Sequence, residues 1–425
     1  MGRIVVVGGG ASGMMAAGVA AYAGAQVMLL EKNATLGKKL LITGKGRCNL
    51  TNATDVEETV ARFGPEGRFL YSALNVFPPM ATQTFFQERG LGLIVERGQR
   101  VFPASGEAGD VVAILETYMR KAGVAVRPST PVEAILIAEG ELDGEASPKV
   151  TGVRLKNGQS IEADVVILAT GGASYPGTGS TGDGYGMAEK VGHTIQPILP
   201  ALVPLRVREP WVRGVAGLSL RNVRARLCDG DKLLGSEFGE MLITHFGVSG
   251  PIILTLSRFV SPYTSAGRSL RLAIDLKPAL NGERLDERVQ RDFDKYKRKA
   301  IKNALGDLLP KSLIPVVIAE SGISPEEAVH QITREERSRL VGTLKALPLT
   351  VTGTLPLSAA IVTAGGVTLS EVDPKTMESR LVGGLCFAGE VLNLAADTGG
   401  FNLQAAFATG YVAGNHGARM ATRSC

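Results

Sequence analysis

Near the amino terminus, three glycines have the spacing of a phosphate-binding turn. They are Gly8, Gly10 and Gly13. An aliphatic run at 4–7 precedes them and an alanine-rich stretch at 11–23 follows. In this spacing the first glycine permits a tight turn, the second lets the backbone approach a pyrophosphate, and the third lets a helix pack closely on the strand. Because the N–H groups at a helix start attract anions, Ala11 and Ser12 are also candidate phosphate-binding residues.

The strand and helix that flank these glycines indicate a nucleotide site more strongly than the glycine spacing itself. With 53 glycines in 425 residues, about one chance match to the spacing is expected. Here the turn lies between a strand and a helix, and a second strand at 26–30 ends on Glu31. A carboxylate in that position accepts hydrogen bonds from the ribose hydroxyls of an adenosine. The sequence predicts a dinucleotide site, and a ligand-free βαβ unit is the alternative.

The segment after Glu31 favours FAD over NAD. A simple NAD fold would continue with an amphipathic helix, whereas this segment is polar and broken by glycines, with five basic residues and no acid between Lys32 and Arg47. Backbone amides and cations of this kind suit the ribityl and isoalloxazine parts of FAD. A solvated basic loop is the alternative. The candidate FAD contacts here are Lys32, Lys38, Lys39, Gly44, Arg47, Cys48, Asn49 and Thr51.

Three later regions supply further candidates. Buried runs at 165–168 and 385–388 each end in a glycine turn, and residues 397–404 open the last helix. Ligands bind at such strand ends in open α/β sheets, and a helix amino end stabilises the anionic reduced ring of a flavin. Turn geometry alone is the alternative. The predicted contacts in these regions are Thr170, Gly171, Gly172, Gly389, Glu390, Gly400, Asn402 and Leu403. Val132, at the start of a strand signal at 132–138, is a further predicted contact.

A second match to the glycine spacing occurs at 177–182. It does not follow a strand directly, and no carboxylate ends a following strand at the right distance, so we interpret it as a chance match. Asp183 is predicted to cap the helix that begins there.

Taken together, these motifs resemble those of the BaiN-like family of bacterial NAD(P)/FAD-dependent oxidoreductases, which includes aminoacetone oxidase. The matching segments are 8–13 with Glu31, 37–39, 44–52, 169–176, 182–185, 244–251, 363–367, 389–390 and 399–404. The resemblance covers nearly the whole chain and implies FAD as cofactor and a cofactor domain interrupted by an insert. Many flavoproteins carry Asp where this chain has Glu390. Reactions in the family are varied, so the resemblance does not fix the substrate.

Composition sets the broad class of the protein. A chain of 425 residues exceeds one compact core, so two or three domains are expected. With 44% hydrophobic and 20% charged residues it is typical of soluble proteins. No long apolar run and no signal-peptide pattern are present, so we expect a cytoplasmic protein with no membrane partner.

The cysteine spacing and the net charge limit which metals, ligands and macromolecules the protein is expected to bind. Cys48, Cys228, Cys386 and Cys425 have no metal-ligand spacing, so neither a disulfide framework nor a metal site is predicted. The chain is basic, with a net charge of +5 and a pI of about 9.0. Because the basic residues are spread along the chain and do not form one cluster, the sequence does not favour a nucleic-acid partner. We expect a small-molecule substrate, and the oligomeric state is left open.

The order of strand and helix signals predicts an α/β fold. A Rossmann-like FAD-binding domain, with a central parallel sheet and a small antiparallel meander, is interrupted by a β-barrel-like plus helical insert. Asn157-Gly158 is a hairpin signal within the meander. The predicted domains are 1–195 with 351–425 (FAD-binding), 196–280 (β-barrel-like) and 281–350 (helical).

Within the helical insert, two capping boxes are expected. They are Ser324 with Glu327 and Thr333 with Glu336.

His245 is the catalytic candidate. It lies in a strand that ends in a turn before a Pro-initiated helix, where it could exchange a proton with substrate near neutral pH. A buried, hydrogen-bonded structural histidine is the alternative. Six arginines could receive an anionic substrate or NAD(P)H phosphates, or form a solvated face. They are Arg206, Arg208, Arg213, Arg221, Arg224 and Arg226.

The function expected from these residues is an FAD-dependent oxidoreductase that reduces a small unsaturated or carbonyl compound by hydride transfer through flavin N5, with NAD(P)H as candidate donor. A flavin oxidase acting on a small amine is one alternative. An RNA-binding flavoprotein is another.

Overall fold

The computed structural model describes residues 2–142 and 145–423. The chain forms two compact units. The Rossmann unit comprises Met1–Leu199 with Ile361–Cys425, and the barrel unit comprises Pro200–Ala360. The barrel unit holds both the β and the helical parts of the insert, and a domain boundary at 280–281 stays a prediction.

Nineteen strands and thirteen α-helices lie in the described residues. The strands are β1 (Arg3–Val7), β2 (Gln26–Leu30), β3 (Thr51–Asn52), β4 (Leu93–Glu96), β5 (Arg100–Pro103), β6 (Ala125–Arg127), β7 (Val132–Leu142), β8 (Glu145–Leu155), β9 (Ser160–Glu162), β10 (Val165–Leu168), β11 (Ile195–Ala201), β12 (Leu205–Val207), β13 (Ser219–Asp229), β14 (Lys232–Thr244), β15 (Gly247–Ser249), β16 (Leu270–Asp275), β17 (Leu347–Thr354), β18 (Val362–Val367) and β19 (Leu385–Phe387). The helices are α1 (Ala11–Tyr22), α2 (Lys38–Ile42), α3 (Val56–Ala61), α4 (Tyr71–Val76), α5 (Pro79–Gln87), α6 (Ala108–Ala122), α7 (Asp183–Lys190), α8 (Pro251–Leu256), α9 (Ser261–Thr264), α10 (Gly282–Lys295), α11 (Ile314–Ser321), α12 (Arg334–Lys345) and α13 (Phe401–Arg423).

A five-stranded parallel sheet forms the centre of the Rossmann unit, in the order β19-β10-β1-β2-β6. Every residue of β10 is buried, and only the first residue of β1 is exposed. Continuous burial of this kind is typical of parallel strands covered on both faces. Helix α1 packs against α13 and α6. Because all five strands are parallel, their carboxyl ends meet at one edge of the sheet.

Two three-stranded antiparallel sheets accompany the central sheet, and β11 pairs with β18 in a two-stranded sheet. Strands β7, β8 and β9 form the predicted meander, and the turn between β8 and β9 contains Gly158 at φ +87°. The other three-stranded sheet has the order β3-β5-β4.

Six antiparallel strands of the barrel unit form a closed barrel in the order β12-β15-β14-β13-β16-β17. Along β13 the side chains alternate: Val223 and Ala225 are buried, whereas Arg224 and Arg226 are exposed. This period of two puts one face of the strand in the barrel core. The predicted fold class, a Rossmann-like domain interrupted by a barrel and helices, is confirmed.

Of the two predicted capping boxes, the structure contains one. The Thr333 hydroxyl accepts from the Glu336 N–H at 3.2 Å, and Glu336 Oε2 accepts from the Thr333 N–H at 2.8 Å. The box at Ser324 is wrong. Glu327 donates its N–H to the Ser324 carbonyl in a turn, and its own carbonyl accepts from the Ile301 N–H at 2.9 Å. The segment therefore leads into an isolated β-bridge between Ala328 and Ala300 and does not begin a helix.

No helix among the described residues is long and apolar enough to cross a membrane, and a cytoplasmic location stays a prediction. Cys48, Cys228 and Cys386 are free thiols, and Cys425 lies outside the described residues. Within 2–142 and 145–423, no group of three or more His, Cys, Asp or Glu side chains could hold a metal ion.

Candidate flavin site

The three amino-terminal glycines occupy three different environments. Gly8 has φ +109°, and a Cβ atom there would lie 2.5 Å from the Ala169 carbonyl oxygen. A Cβ on Gly13 would lie 1.9 Å from the Gly8 carbonyl oxygen, whereas a Cβ on Gly10 would meet nothing within 4 Å. The turn is therefore tight at Gly8, close-packed at Gly13 and open at Gly10, as a pyrophosphate cradle at the start of α1 requires.

Glu31 is fixed at the end of β2 beside this turn. Its Oε2 accepts from the Gly9 N–H at 2.7 Å, and its Oε1 accepts from the backbone and side-chain nitrogens of Asn33 at 2.8 and 2.7 Å. The Glu31 carbonyl accepts from the Thr130 N–H at 2.8 Å, which places the start of β7 at Val132 near the same end of the site. The oriented carboxylate suits a ribose diol.

Lys32 is engaged by neighbouring protein groups. Its Nζ donates to Asp183 Oδ2 at 2.7 Å and to the Thr181 hydroxyl. Burial raises the pKa of Asp183, but the hydrogen bonds from Lys32 and Thr181 outweigh it and hold that pKa below its usual range. The prediction that Asp183 caps α7 is wrong. Gly182 occupies the N-cap position, so no side chain caps the helix, and the Asp183 carboxylate accepts from Lys32 instead.

At the carboxyl edge of the sheet, a polar cluster joins α2 to Glu390, in the turn after β19. Lys39 Nζ donates to Glu390 Oε2 at 2.7 Å and to the Ser174 hydroxyl at 2.8 Å. Glu390 Oε1 accepts from the Thr363 N–H at 2.8 Å. Both charged side chains are less than a quarter exposed. Sequence reasoning named Lys39 and Glu390 separately, but it did not predict their ion pair or the roles of Ser174 and Thr363.

Tyr185 contacts the same cluster. Its hydroxyl donates to the Glu390 carbonyl at 3.4 Å. Burial, and then the negative charge of Glu390, raise the pKa of Tyr185 well above its usual value, so the phenol keeps its proton. Its position three residues into α7 gave no sequence signal of this role.

The turn after β10 contains a buried polar atom without a partner. Within the described chain, the Thr170 hydroxyl makes no hydrogen bond. It lies where Gly184 must lack a side chain, since a Cβ there would be 2.0 Å from that hydroxyl. Gly171 has φ +74°, and a Cβ on Gly172 would lie 2.5 Å from the Thr363 hydroxyl. An unpartnered hydroxyl at the ligand-binding edge of the sheet fits a bound cofactor.

Residues 43–48 have an unusual backbone. Gly44, Lys45 and Cys48 all have positive φ, at 56°, 60° and 58°. The Cys48 thiol is fully buried, and burial raises its pKa to about 12 against a smaller opposing effect of a hydrogen bond with Thr43. The thiol is therefore protonated at neutral pH and is a poor nucleophile.

The basic residues of this segment differ in their surroundings. Arg47 donates to Glu96 Oε1 at 2.8 Å, and its guanidinium lies 4.2 Å from the centre of the Phe102 ring. Lys38 is exposed. Arg47 is held in place by protein groups, whereas Lys38 points to solvent.

The amino end of α13 is clamped onto β3. Gly400 has φ +98°, and a Cβ there would lie 2.4 Å from the Thr51 carbonyl oxygen. In the orientation that satisfies its neighbours, the Asn49 amide oxygen accepts from the Gly400 N–H at 3.0 Å. Asn402 folds back and accepts from the Ala396 N–H at 2.8 Å. Leu403 packs on the core as a partly buried side chain.

Two further residues hold this end of α13 and were missed in the sequence analysis. Gln404 is fully buried, and its Oε1 accepts from the hydroxyls of Thr51 and Thr82 at 2.7 and 2.8 Å. Asn52 donates to the carbonyls of Gly98 and Gly399, each at 3.0 Å. Their partners are distant in sequence, so only their position in polar glycine-rich motifs could have drawn attention to them.

At the other end of the cradle, a Cβ on Gly389 would lie 2.5 Å from the Ser12 hydroxyl, which donates to the Ala388 carbonyl. The turn after β19 therefore touches the start of α1. The described Rossmann unit brings together the predicted residues of the glycine turn, the 38–52 segment and the 389–403 segment. This arrangement fits FAD, although the contact of each residue with the cofactor stays a prediction.

His245 belongs to the barrel unit, in the turn between β14 and β15. It is exposed, and its ring lies 5.0 Å from the Phe246 ring in an edge-to-face arrangement. The alternative of a buried structural histidine is wrong, because the turn carries the side chain to the surface of its unit. The adjacent Thr244 hydroxyl is buried with no partner in the described residues. The catalytic role of His245 stays a prediction.

Comparison with known proteins gives the family. The family model described as HI0933-like protein Rossmann domain matches residues 2–416. A 3-dehydro-bile acid delta(4,6)-reductase of Clostridium scindens is 35% identical over 97% of this chain and 98% of that protein. A ribosomal RNA dihydrouridine synthase of Haemophilus influenzae is 30% identical over 96% of each.

Solved structures agree in fold. The 3-ketosteroid delta1-dehydrogenase of Sterolibacterium denitrificans superposes with a TM-score of 0.55 at 15% identity, covering 99% of this chain and all of that chain. The chain therefore belongs to the HI0933-like Rossmann-domain family, as an FAD-dependent oxidoreductase of the BaiN-like group.

Proposed function

We propose that this protein reduces a carbon–carbon double bond conjugated with a carbonyl group in a small molecule, with NAD(P)H as the electron donor. The balanced reaction consumes the unsaturated substrate, NAD(P)H and one proton, and yields the saturated product and NAD(P)⁺. Bound FAD supplies the hydride chemistry at its N5 atom. The protein residues hold the cofactor, set its electrostatic environment and manage the proton.

The observation that carries this proposal is the fixed amino end of α13. Its first turn has no acidic residue, and Thr51, Asn49 and Asn402 hold it against β3 and the preceding loop. The positive end of a helix dipole stabilises negative charge. A reduced flavin held there would be stabilised as an anion, which suits an enzyme that stores a hydride before passing it to an acceptor.

The names of two relatives support the type of bond. A 3-dehydro compound with double bonds at positions 4 and 6 has a carbonyl in conjugation with them. Dihydrouridine differs from uridine by two hydrogens across a double bond that is conjugated with a ring carbonyl. Both compounds are therefore products or substrates of the same reaction type, addition of hydrogen across an activated double bond.

His245 is our candidate for the proton donor, with water as the alternative. Its exposed ring has no hydrogen-bond partner among the described residues, so it is available to a substrate. An imidazole can act as a general acid and deliver a proton to the carbon next to the carbonyl.

Reduction of uridine in RNA is the second candidate. Arg224 and Arg226 are exposed on the outer face of β13, and neither makes an ion pair within the described chain. Directly opposite Arg224 in the register, Phe238 is 50% exposed. Cations next to an exposed aromatic ring are typical of surfaces that bind nucleic-acid phosphates and bases.

Anaerobic rapid mixing tests these functions. Oxidised holoenzyme is mixed with NADH, NADPH or a small amine, and flavin absorbance is followed; bleaching by NAD(P)H supports the reductase, and bleaching by the amine alone supports an oxidase. Reduced enzyme is then mixed with a 3-oxo-4-ene steroid, a uridine-containing rRNA fragment or oxygen. Reoxidation by the steroid supports the proposed function, and reoxidation by RNA alone supports the second candidate.

A further inference from the structure

The hairpin of β4 and β5 carries a group of cations beside the candidate flavin site. We name it the hairpin patch and define it as Arg47, Arg97 and Arg100 around Glu96. Glu96 accepts from Arg47 at 2.8 Å and from Arg100 at 3.4 Å, and Arg100 Nε donates to the Arg97 carbonyl at 3.1 Å. One carboxylate therefore holds two guanidinium groups of neighbouring segments together.

The patch has more positive charge than its own acid can neutralise. Arg47 and Arg100 share Glu96, whereas the exposed Arg97 side chain makes no ion pair within the described residues. Lys45, exposed two residues before Arg47, adds a further cation without an ion-pair partner in that part of the chain. The hydrogen bond from Arg47 lowers the pKa of Glu96, so the carboxylate stays ionised. Arg47 and Arg100 lie on the same carboxylate, so their like charges repel one another and are stabilised further by a bound anion.

The patch is tied directly to the flavin end of α13. Asn52 bridges the carbonyl of Gly98, in the hairpin turn, to the carbonyl of Gly399, at the entry to α13. In the β3–β5 register, Asn52 lies opposite Arg100, and Thr51 lies opposite Val101. A ligand on the patch is therefore next to the loop that would hold the isoalloxazine.

We propose that the hairpin patch binds the phosphate groups of the pyridine-nucleotide hydride donor and so orients its nicotinamide toward the flavin. The inference rests on the proposed function, because it assigns the donor's binding site. Planar guanidinium groups pair with phosphate oxygens in a bidentate manner. Every NAD(P)H molecule carries a pyrophosphate, whereas the reducing nicotinamide itself offers no negative charge to these arginines.

Binding of NADP⁺, which cannot reduce the flavin, tests the site without turnover. Calorimetry on the FAD-loaded protein compares wild type with Arg97→Gln, with the Arg97→Gln/Arg100→Gln double variant, and with Arg68→Gln as control. Arg68 is exposed in the Rossmann unit outside the patch, so its replacement makes the same charge change. We expect Kd for NADP⁺ to rise about three- to tenfold for each patch arginine removed, with a weaker salt dependence, and no change for the control. Unchanged Kd in the double variant would overturn the proposal.

A kinetic comparison separates this site from the proposed function. Flavin reduction is measured with NADPH and with 1-benzyl-1,4-dihydronicotinamide, a hydride donor without phosphate. The proposal requires that the double variant slows reduction by subsaturating NADPH and leaves reduction by the neutral donor unchanged. Equal slowing with both donors, or an effect only on reoxidation by substrate, overturns it. If NADH, NADPH and the neutral donor all fail to reduce wild type, the proposed function itself fails, whatever NADP⁺ binding shows.

Discussion

Lys39 and Glu390 form an ion pair 2.7 Å long, although 351 residues separate them in the chain. The pair joins α2, the helix that follows β2, to the turn after β19. Because both side chains are largely buried, the pair has less solvent screening than a surface ion pair, and removing one partner leaves a poorly solvated charge.

Replacing Lys39 by Met should weaken both the fold and cofactor binding. The Glu390 carboxylate would lose its cation and keep its hydrogen bond from Thr363, so we expect a loss of about 1–3 kcal/mol in the free energy of unfolding. The FAD dissociation constant should rise about tenfold. Urea unfolding and fluorescence titration of the apoprotein with FAD measure the two effects.

Lys121→Met, at an exposed site outside the cluster, is the control and should match wild type in both measurements. In a double-mutant cycle, Glu390→Gln should cost less in the Lys39→Met background than in wild type. Additive losses in that cycle would contradict a coupled pair.

The glycine turn and Glu31 were predictable because their geometry depends on residues close in sequence. A strand, a turn at fixed spacing, a helix and a second strand form a local unit, and the structure has Gly8, Gly10 and Gly13 in the three expected environments. The Lys39–Glu390 pair was not predictable, since nothing in either segment specifies which distant side chain it meets. For the same reason Lys32 was assigned to the cofactor without its partner Asp183.

A local motif gives a wrong prediction when tertiary contacts determine the backbone conformation of its segment. Ser324 and Glu327 have the spacing of a capping box, yet the bridge between Ala328 and Ala300 extends the chain there. Thr333 and Glu336 have the same spacing and do cap a helix, because twelve residues of α12 follow with Leu340, Val341 and Leu344 buried. The spacing alone did not distinguish the two.

Alanine substitutions at Gly10 and Gly13 should have opposite signatures. The Gly10 position has open space, so Gly10→Ala should fold with a melting temperature close to wild type while FAD binding weakens by about tenfold or more, because the methyl group enters the pyrophosphate cradle. At Gly13 the methyl group would collide with the Gly8 carbonyl, so Gly13→Ala should lose about 1–3 kcal/mol of stability even without FAD.

Thermal unfolding of the apoproteins, followed by FAD titration, distinguishes the two variants. Gly109→Ala serves as the comparison, since a Cβ at Gly109 also meets nothing within 4 Å but lies in α6 outside the site. Normal FAD affinity in Gly10→Ala would contradict the assignment of this turn to the pyrophosphate.

The Cys48 thiol should take no part in electron transfer. Its pKa of about 12 and full burial leave no thiolate at neutral pH, so Cys48→Ala should keep the rate of flavin reduction within about twofold of wild type. Alanine has a Cβ like cysteine, so it carries the same conformational strain at φ +58°. The variant therefore removes the sulfur without relaxing the backbone. In native protein at pH 8, neither Cys48 nor the equally buried Cys386 should react with a thiol reagent. A tenfold slower reduction in a fully folded Cys48→Ala would contradict this prediction.

His193 should make the fold sensitive to mild acid. Its ring is buried between Glu371, 3.1 Å from Nδ1, and the Ser379 hydroxyl, 2.8 Å from Nε2, and it meets the Phe387 ring edge-to-face. Ser379 Oγ accepts N–H groups from Leu381 and Val382, so its hydroxyl proton is free to go to Nε2, which leaves the Nδ1 proton for Glu371. Burial lowers the pKa of His193, and the Glu371 interactions only partly oppose this shift.

Since the unfolded chain takes up a proton at its ordinary histidine pKa of about 6.5 and the folded chain does so at a lower pH, stability is fully present above pH 6.5 and is lost as the pH falls through the folded pKa. Urea unfolding between pH 8 and 5 should show the decline, worth about 1.4 kcal/mol for each unit by which the pKa is lowered. His193→Gln should be less stable at pH 8 but flat across this range. The lowered pKa of Glu371 changes the stability only below about pH 4.5, outside the measured range. If His193→Gln shows the same decline in stability as wild type, His193 is not its source.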